Sequence, residues 1–200
     1  MLTLHRVRGV RLVDDGELAA GYAVVVSGDR IAAIGPYEQL FAEYGSRARV
    51  REWDGVLTPG RHEPDGAALL EAVYHPDPRE ADELGTEPVR GAALAALDMT
   101  EARWGAGARR GLQRLLGCGT TTLTGPFTRP AVRTAVQRSG LVELPGLVGR
   151  SGLVGRSGDR LPGDRPRALA TGGVANFAVF AEDGRCLATV LAGRLVFRRR

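Results

Sequence analysis

Lysine is absent from this chain. Its 200 residues carry 27 basic side chains, and every one is arginine. Histidine is scarce, with only His5, His62 and His75. Cysteine is scarcer still: Cys118 and Cys186 stand far apart with no CxxC spacing, so neither a zinc knuckle nor a redox pair is expected. Both are expected to be free buried thiols, Cys118 at the mouth of a strand. No apolar run reaches the roughly 18–20 residues that a membrane span needs. The opening Met1-Leu2-Thr3-Leu4-His5-Arg6 has no long apolar stretch behind it, so no signal peptide is expected and the default location is cytoplasmic. The nucleophile motif GxSxG, the phosphate loop GxxxxGK[ST] and a GxGxxG turn after a strand are all missing.

What is present suits a soluble globular protein. Hydrophobic residues make up 44% and charged residues 25%, enough for a sizeable core. The length fits one domain, or one domain with a small appendage. Net charge is +4, with the excess in Arg150, Arg156, Arg160, Arg165, Arg167 and Arg198-Arg199-Arg200. Such charge can attract nucleic acid or an acidic partner. No aromatic residue interleaves with the arginines between 147 and 167, so a base-stacking surface is not evident. A solvated loop and tail is the reading, and nucleic acid is not an expected partner.

The first third reads as β-structure. Leu2 to Val7 alternates apolar and polar residues, as a half-buried strand does. Arg11 to Val13 leads into the turn Asp14-Asp15-Gly16. Tyr22 to Val26 and Arg30 to Ile34 flank Ser27-Gly28-Asp29, which predicts a hairpin. Pro36 can open a helix over Tyr37 to Tyr44. Val50 to Trp53 and Val56 to Thr58 are further strands. The middle changes period. Gly66 to Tyr74 has helical spacing, residues 76–90 are acidic and Pro-rich and read as a loop, and Met99 to Leu116 is a long helix with Trp104, Ala108, Leu112, Leu115 and Leu116 on one side. Thr120 to Thr124 is a β-branched strand, Pro130 to Ser139 a helix stopped at Gly140, and Leu141 to Leu144 a strand.

Residues 145–167 break this pattern. Leu147 to Gly152 is repeated at once as Leu153 to Gly158, and the segment is rich in Gly, Pro, Arg and Ser. One short duplication is no solenoid, so this is read as a flexible linker. Strands then return at Ala175 to Phe180, Leu187 to Leu191 and Leu195 to Phe197, joined by Asp183-Gly184 and Ala192-Gly193 turns.

Three blocks resemble the amidohydrolase superfamily, nearest to its imidazolonepropionase-like members. Ala23 to Gly35 is similar to that family's opening hairpin. Trp53-Asp54-Gly55-Val56-Leu57-Thr58-Pro59-Gly60 resembles the passage into its first barrel strand. Leu169 to Phe180, continuing to Thr189 to Val196, resembles the return to its β-domain, with Asn176 where the family usually has Asp. Gly117-Cys118-Gly119-Thr120-Thr121-Thr122 is similar to its second barrel strand. The resemblance covers most of residues 1–144 and 168–197. It implies a small β-domain built from both ends of the chain and a (β/α)₈ barrel between them. Such a barrel takes about 250 residues, more than this whole sequence has.

The resemblance also implies a metal site, in which a divalent ion turns bound water into a nucleophile. Its ligands are a His-x-His pair after the first barrel strand, later histidines, an aspartate and, in many members, a carbamylated lysine. Here the His-x-His positions hold Asp65 and Ala67, His62 is out of register, and Pro64 is expected to interrupt the strand. There is no lysine to carbamylate. His62, Glu63, Asp65 and His75 are the weak candidates for a different site, with Asp77, Glu80, Asp82 and Glu83 as extra oxygen donors. Their spacing matches no ligand motif, so surface-loop residues are the plainer reading.

The expected fold class is mixed α/β. A small β-sandwich composite domain would form from 1–58 with 168–200, a truncated βα remnant of a TIM-like barrel would occupy 59–144, and 145–167 would be the linker. The expected role is non-catalytic, a pseudoenzyme or scaffold, with no cofactor. A homo-oligomer or a protein partner would cover the open remnant. The alternative is a hydrolase of non-peptide carbon–nitrogen bonds, such as a cyclic amidine hydrolase or deaminase, using zinc or another divalent metal and active-site parts from a second chain.

Overall fold

The computed structural model describes residues 1–145 and 167–199. The duplicated segment, and with it nearly all of the expected linker, lies outside the described residues, as does Arg200. Thirteen strands and six α-helices are described. In chain order they begin with β1 (Leu2–Arg6), β2 (Gly9–Arg11), β3 (Leu18–Ala20), β4 (Tyr22–Ser27), β5 (Arg30–Pro36), α1 (Tyr37–Tyr44), β6 (Arg49–Glu52), β7 (Val56–Pro59) and β8 (Arg61–Glu63). The middle holds α2 (Gly66–Glu71), a 3-10 turn (Pro78–Glu80), α3 (Ala81–Leu84), α4 (Gly91–Ala95), α5 (Glu101–Gly117), β9 (Thr120–Thr124), α6 (Pro130–Ser139) and β10 (Val142–Leu144). Finally come β11 (Phe177–Phe180), β12 (Cys186–Leu191) and β13 (Arg194–Arg198). None of the described helices is long and apolar enough to cross a membrane.

The strands form three sheets, ordered β5-β4-β1-β6, β13-β12-β11-β7-β2-β3 and β10-β9-β8. The largest joins both ends of the sequence, because β11 pairs antiparallel with β7 while β2 pairs parallel with β7. The period of two in β4 explains how the layers stack. Val24 and Val26 face the six-stranded sheet and share a core with Leu57, Phe177, Val179, Ala188 and Val190. Ala23 and Val25 face the other way, packing with Leu4 and with Leu40 of α1. The far side of the six-stranded sheet meets α5 and β9: Thr189 donates to the Leu116 carbonyl at 2.6 Å.

The small sheet is parallel throughout, with His62 opposite Thr122 and Val142 opposite Thr122 on the other side. Leu123 is buried with Leu70, Trp104, Ala108, Leu112 and Val132, so α2, α5 and α6 cover that face. Helix α5 is capped by Thr100, whose Oγ1 accepts from the Arg103 N–H at 3.2 Å. Two glycines one turn apart let the chain lie directly on α5. A Cβ on Gly107 would fall 2.9 Å from the Tyr74 ring, and one on Gly111 2.7 Å from His75 Nε2. Among the described residues no sheet closes on itself into a barrel.

Several expectations need correction. The helix from Gly66 stops at Glu71, and Tyr74 instead bridges to Val89. Residues 76–90 are no plain loop, since Asp77 caps a 3-10 turn that runs on into α3. Pro64 does not prevent a strand at 61–63. It follows the last paired residue, so its missing N–H costs the ladder nothing.

Candidate functional site

The C-terminal ends of parallel strands are where α/β folds gather reactive groups. In the small sheet, those ends carry His62, Glu63, Thr122, Thr124 and Leu144. His62, Thr122 and Thr124 lie on the face opposite Leu123, away from the helices. Contrary to the loop reading, His62 is held in a strand and half-buried. Its Nδ1 is 3.0 Å from Thr122 Oγ1 and its Nε2 is 3.1 Å from Thr124 Oγ1. A neutral imidazole donates from one nitrogen and accepts at the other, so the two hydroxyls satisfy it completely. Burial, and then the nearby Arg167 guanidinium, push its pKa below the usual histidine value.

The Arg167 guanidinium acts on His62 from a distant part of the sequence. Its sequence context suggests a solvated charge, but Nη2 donates to Asp14 Oδ2 at 2.5 Å, and its Nε is buried with no partner among the described residues. No signal in the sequence joins residue 167 to residues 14 and 62. Only the fold does, through the pairing of Ala168 with Val13.

The other candidates do not join His62. Glu63 accepts the Asp65 N–H at 3.0 Å, closing the turn into α2. Asp65 is exposed and Ala67 packs against the helical core, so the two expected ligand positions sit beyond the strand rather than at its mouth. His75 is on the opposite side of the sheet, under α5, and is buried rather than a surface-loop residue. Its Nε2 lies 3.3 Å from the Leu69 carbonyl, and Nδ1 has no partner among the described residues. Burial holds its pKa below the usual value.

The acidic run is also spoken for in part. Glu80 accepts from the Tyr74 hydroxyl at 2.5 Å, the Asp77 N–H at 2.8 Å and Arg103 Nη2 at 2.7 Å. The Tyr74 hydroxyl is the first cause of its lowered pKa. Arg110 reaches the His75 carbonyl, Asp77 and the Tyr74 hydroxyl together. This network pins residues 74–80 to α5. Asp82 and Glu83 are exposed. The glycines at 107 and 111 were the available clue to it, since small residues one turn apart mark a close approach.

Among the described residues no three His, Cys, Asp or Glu side chains converge as cation ligands. The donor set at the strand ends therefore does not fit the divalent ion that the resemblance implies. One imidazole is there, and both its nitrogens are taken by threonine.

No protein-family model matches the sequence, and no curated protein does either. Solved structures similar to this chain include the ochratoxinase of A. niger, with 20% identity, a TM-score of 0.48, and 72% of this chain aligned to 31% of that one. An adenosine deaminase from Xanthomonas campestris with bound zinc is 20% identical, with a TM-score of 0.48 over 71% of this chain and 33% of its own. The guanine deaminase of E. coli is 16% identical, with a TM-score of 0.46 over 73% of this chain and 36% of its own. These neighbours are amidohydrolase-superfamily deaminases and hydrolases. This chain spans about a third of the length of each.

Proposed function

We propose that this chain is an amidohydrolase-related, imidazolonepropionase-like protein with a non-catalytic, scaffolding role. The strands from its two ends are read as one composite β-domain, and β8 to β10 with their helices as a shortened piece of barrel. One observation carries the reading: the strand ends offer His62 already saturated by Thr122 and Thr124, with Asp65, Ala67 and His75 placed elsewhere. A metal-bound water needs several converging donors to reach a useful pKa. The face bearing His62, Val142 and Leu144 would then serve as a contact surface, for a second copy or another protein, because Val142 and Leu144 leave apolar surface exposed on it.

The test is elemental analysis of protein purified with zinc, iron and manganese supplied, joined to an assay on aminated heterocycles and cyclic amidines. Well under one ion per chain and no turnover are expected. A stoichiometric ion would sink the reading.

A second reading has one observation in its favour. His62 stands at the C-terminal end of a parallel strand, on the side that none of the described helices covers, where an imidazole could meet ligands from another chain. On that reading the protein is a hydrolase of non-peptide carbon–nitrogen bonds that works only in a complex. Turnover that appears on adding a partner chain, and vanishes in His62→Ala, would favour it.

A further inference from the structure

The two cysteines, 118 and 186, take no part in the site around His62, and the fold treats them unequally. Cys118 caps the C-terminal end of α5 and is exposed, against the expectation that it is buried. It borders an open groove of about 630 Å³ with Gln113, Arg114, Phe197 and Arg199. Cys186 opens β12 and is buried. Its thiol sits 3.4 Å from both the Ala188 carbonyl and Thr189 Oγ1, and burial pushes its pKa up.

Three contacts bring these residues to one junction. Thr189, beside the Cys186 sulfur, donates to the carbonyl of Leu116, two residues before Cys118. Cys186 is the strand partner of Phe180, whose ring lies 2.5 Å from where a Cβ on Gly119 would be. Arg61 spans the same gap, donating to the Cys118 carbonyl at 3.2 Å with its guanidinium 4.3 Å from the Phe180 ring centre. We propose that Cys118 is an oxidant-sensitive modification site and Cys186 its resolving partner, the two forming an internal disulfide that ties α5 to the six-stranded sheet.

The oxidant is a hydroperoxide. The Cys118 thiol loses its proton and the thiolate attacks the O–O bond; an S–O bond forms, the O–O bond breaks, and the departing hydroxide or alkoxide takes up that proton and leaves as water or an alcohol. The sulfur is now a sulfenic acid. The Cys186 sulfur then attacks it, the S–S bond forms, and the departing hydroxide takes the Cys186 proton as water. Exposure fixes the order, because thiol oxidation follows access. Only Cys118 faces the solvent.

The test uses the full, reduced chain and one equivalent of hydrogen peroxide. Both thiols should be lost together, with the peptides containing Cys118 and Cys186 joined on mapping and a single-chain band on a non-reducing denaturing gel. Dithiothreitol should restore both. In Cys118→Ser the Cys186 thiol should survive the same treatment. Peptide mapping of the wild-type chain decides the matter even if a variant folds poorly. If Cys118 instead ends as sulfenic or sulfinic acid, or links two chains, while Cys186 can still be alkylated after denaturation, the pairing is wrong.

Discussion

The two larger sheets and the small one solve the same problem differently. The four- and six-stranded sheets share a core between them, and each finds a second cover, α1 on one side and α5 with β9 on the other. Among the described residues, the three parallel strands bury only one face, against α2, α5 and α6. Their other face carries Val142 and Leu144 at 41% and 36% exposure. A sheet covered by helices on one side alone is rare among parallel sheets, whose strands are usually buried twice. The contrast says where this molecule spends its apolar surface on stability and where it leaves surface available.

The sharpest way to break the comparison is to remove one large side chain from each region. Phe177 is fully buried in β11 and meets His5 edge-on at 5.1 Å between ring centres. Phe177→Ala should destabilise the protein by about 3–5 kcal/mol in urea unfolding, by transfer and cavity terms together. Leu144→Ala should cost under about 1 kcal/mol, since an exposed side chain leaves no cavity. Equal costs would mean that the small sheet is as well covered as the large ones.

The buried histidine of the covered region extends the test to pH. His5 lies in β1 and is 2% exposed, accepting the Trp53 indole N–H at 3.2 Å. Burial, helped by Arg51, lowers its pKa to about 4 from an ordinary 6.5. The unfolded chain therefore binds a proton at higher pH than the folded one. Below about pH 6.5 the unfolded state gains protons first, so stability falls with pH until about 4, where the loss levels off. The shift corresponds to roughly 3 kcal/mol across that window. His5→Gln, which keeps an acceptor for Trp53, should remove this part of the slope between pH 6.5 and 4 in thermal melts. An unchanged slope would show that His5 titrates as it does in water.

Much of both regions is legible in sequence. The hairpin around Gly28, α1, β9 and α6 follow from alternation, Pro36, β-branched threonines and the Pro130/Gly140 bracket, which are local signals. What stayed hidden was set by distance. The pairing of β11 with β7 joins residues more than a hundred apart, and the Asp14–Arg167 ion pair has no local mark. Strand β8 was missed because Pro64 weighed against it, although a proline just past the last pair is harmless. At the candidate site, the sequence could show that ligand positions hold Asp65 and Ala67. It could not show that His62 is saturated by two hydroxyls, because that depends on the register of β8 against β9.

The smallest expected effect is the most informative about role. Val142→Thr with Leu144→Asn makes the open face polar while keeping β10 paired with β9 through its backbone. If that face is free in the isolated chain, stability should change by no more than about 0.5 kcal/mol, the usual range for surface substitutions. If the same face binds a second copy, the double variant should still weaken self-association, which sedimentation across a dilution series would read as a shift toward the single chain. Exposed apolar side chains contribute little until something desolvates them, so a stability effect near zero with a marked association effect is what a contact surface predicts. A loss of more than about 1.5 kcal/mol in the dilute chain would instead place these side chains in a packed environment, and the contrast between covered and open sheets would fail.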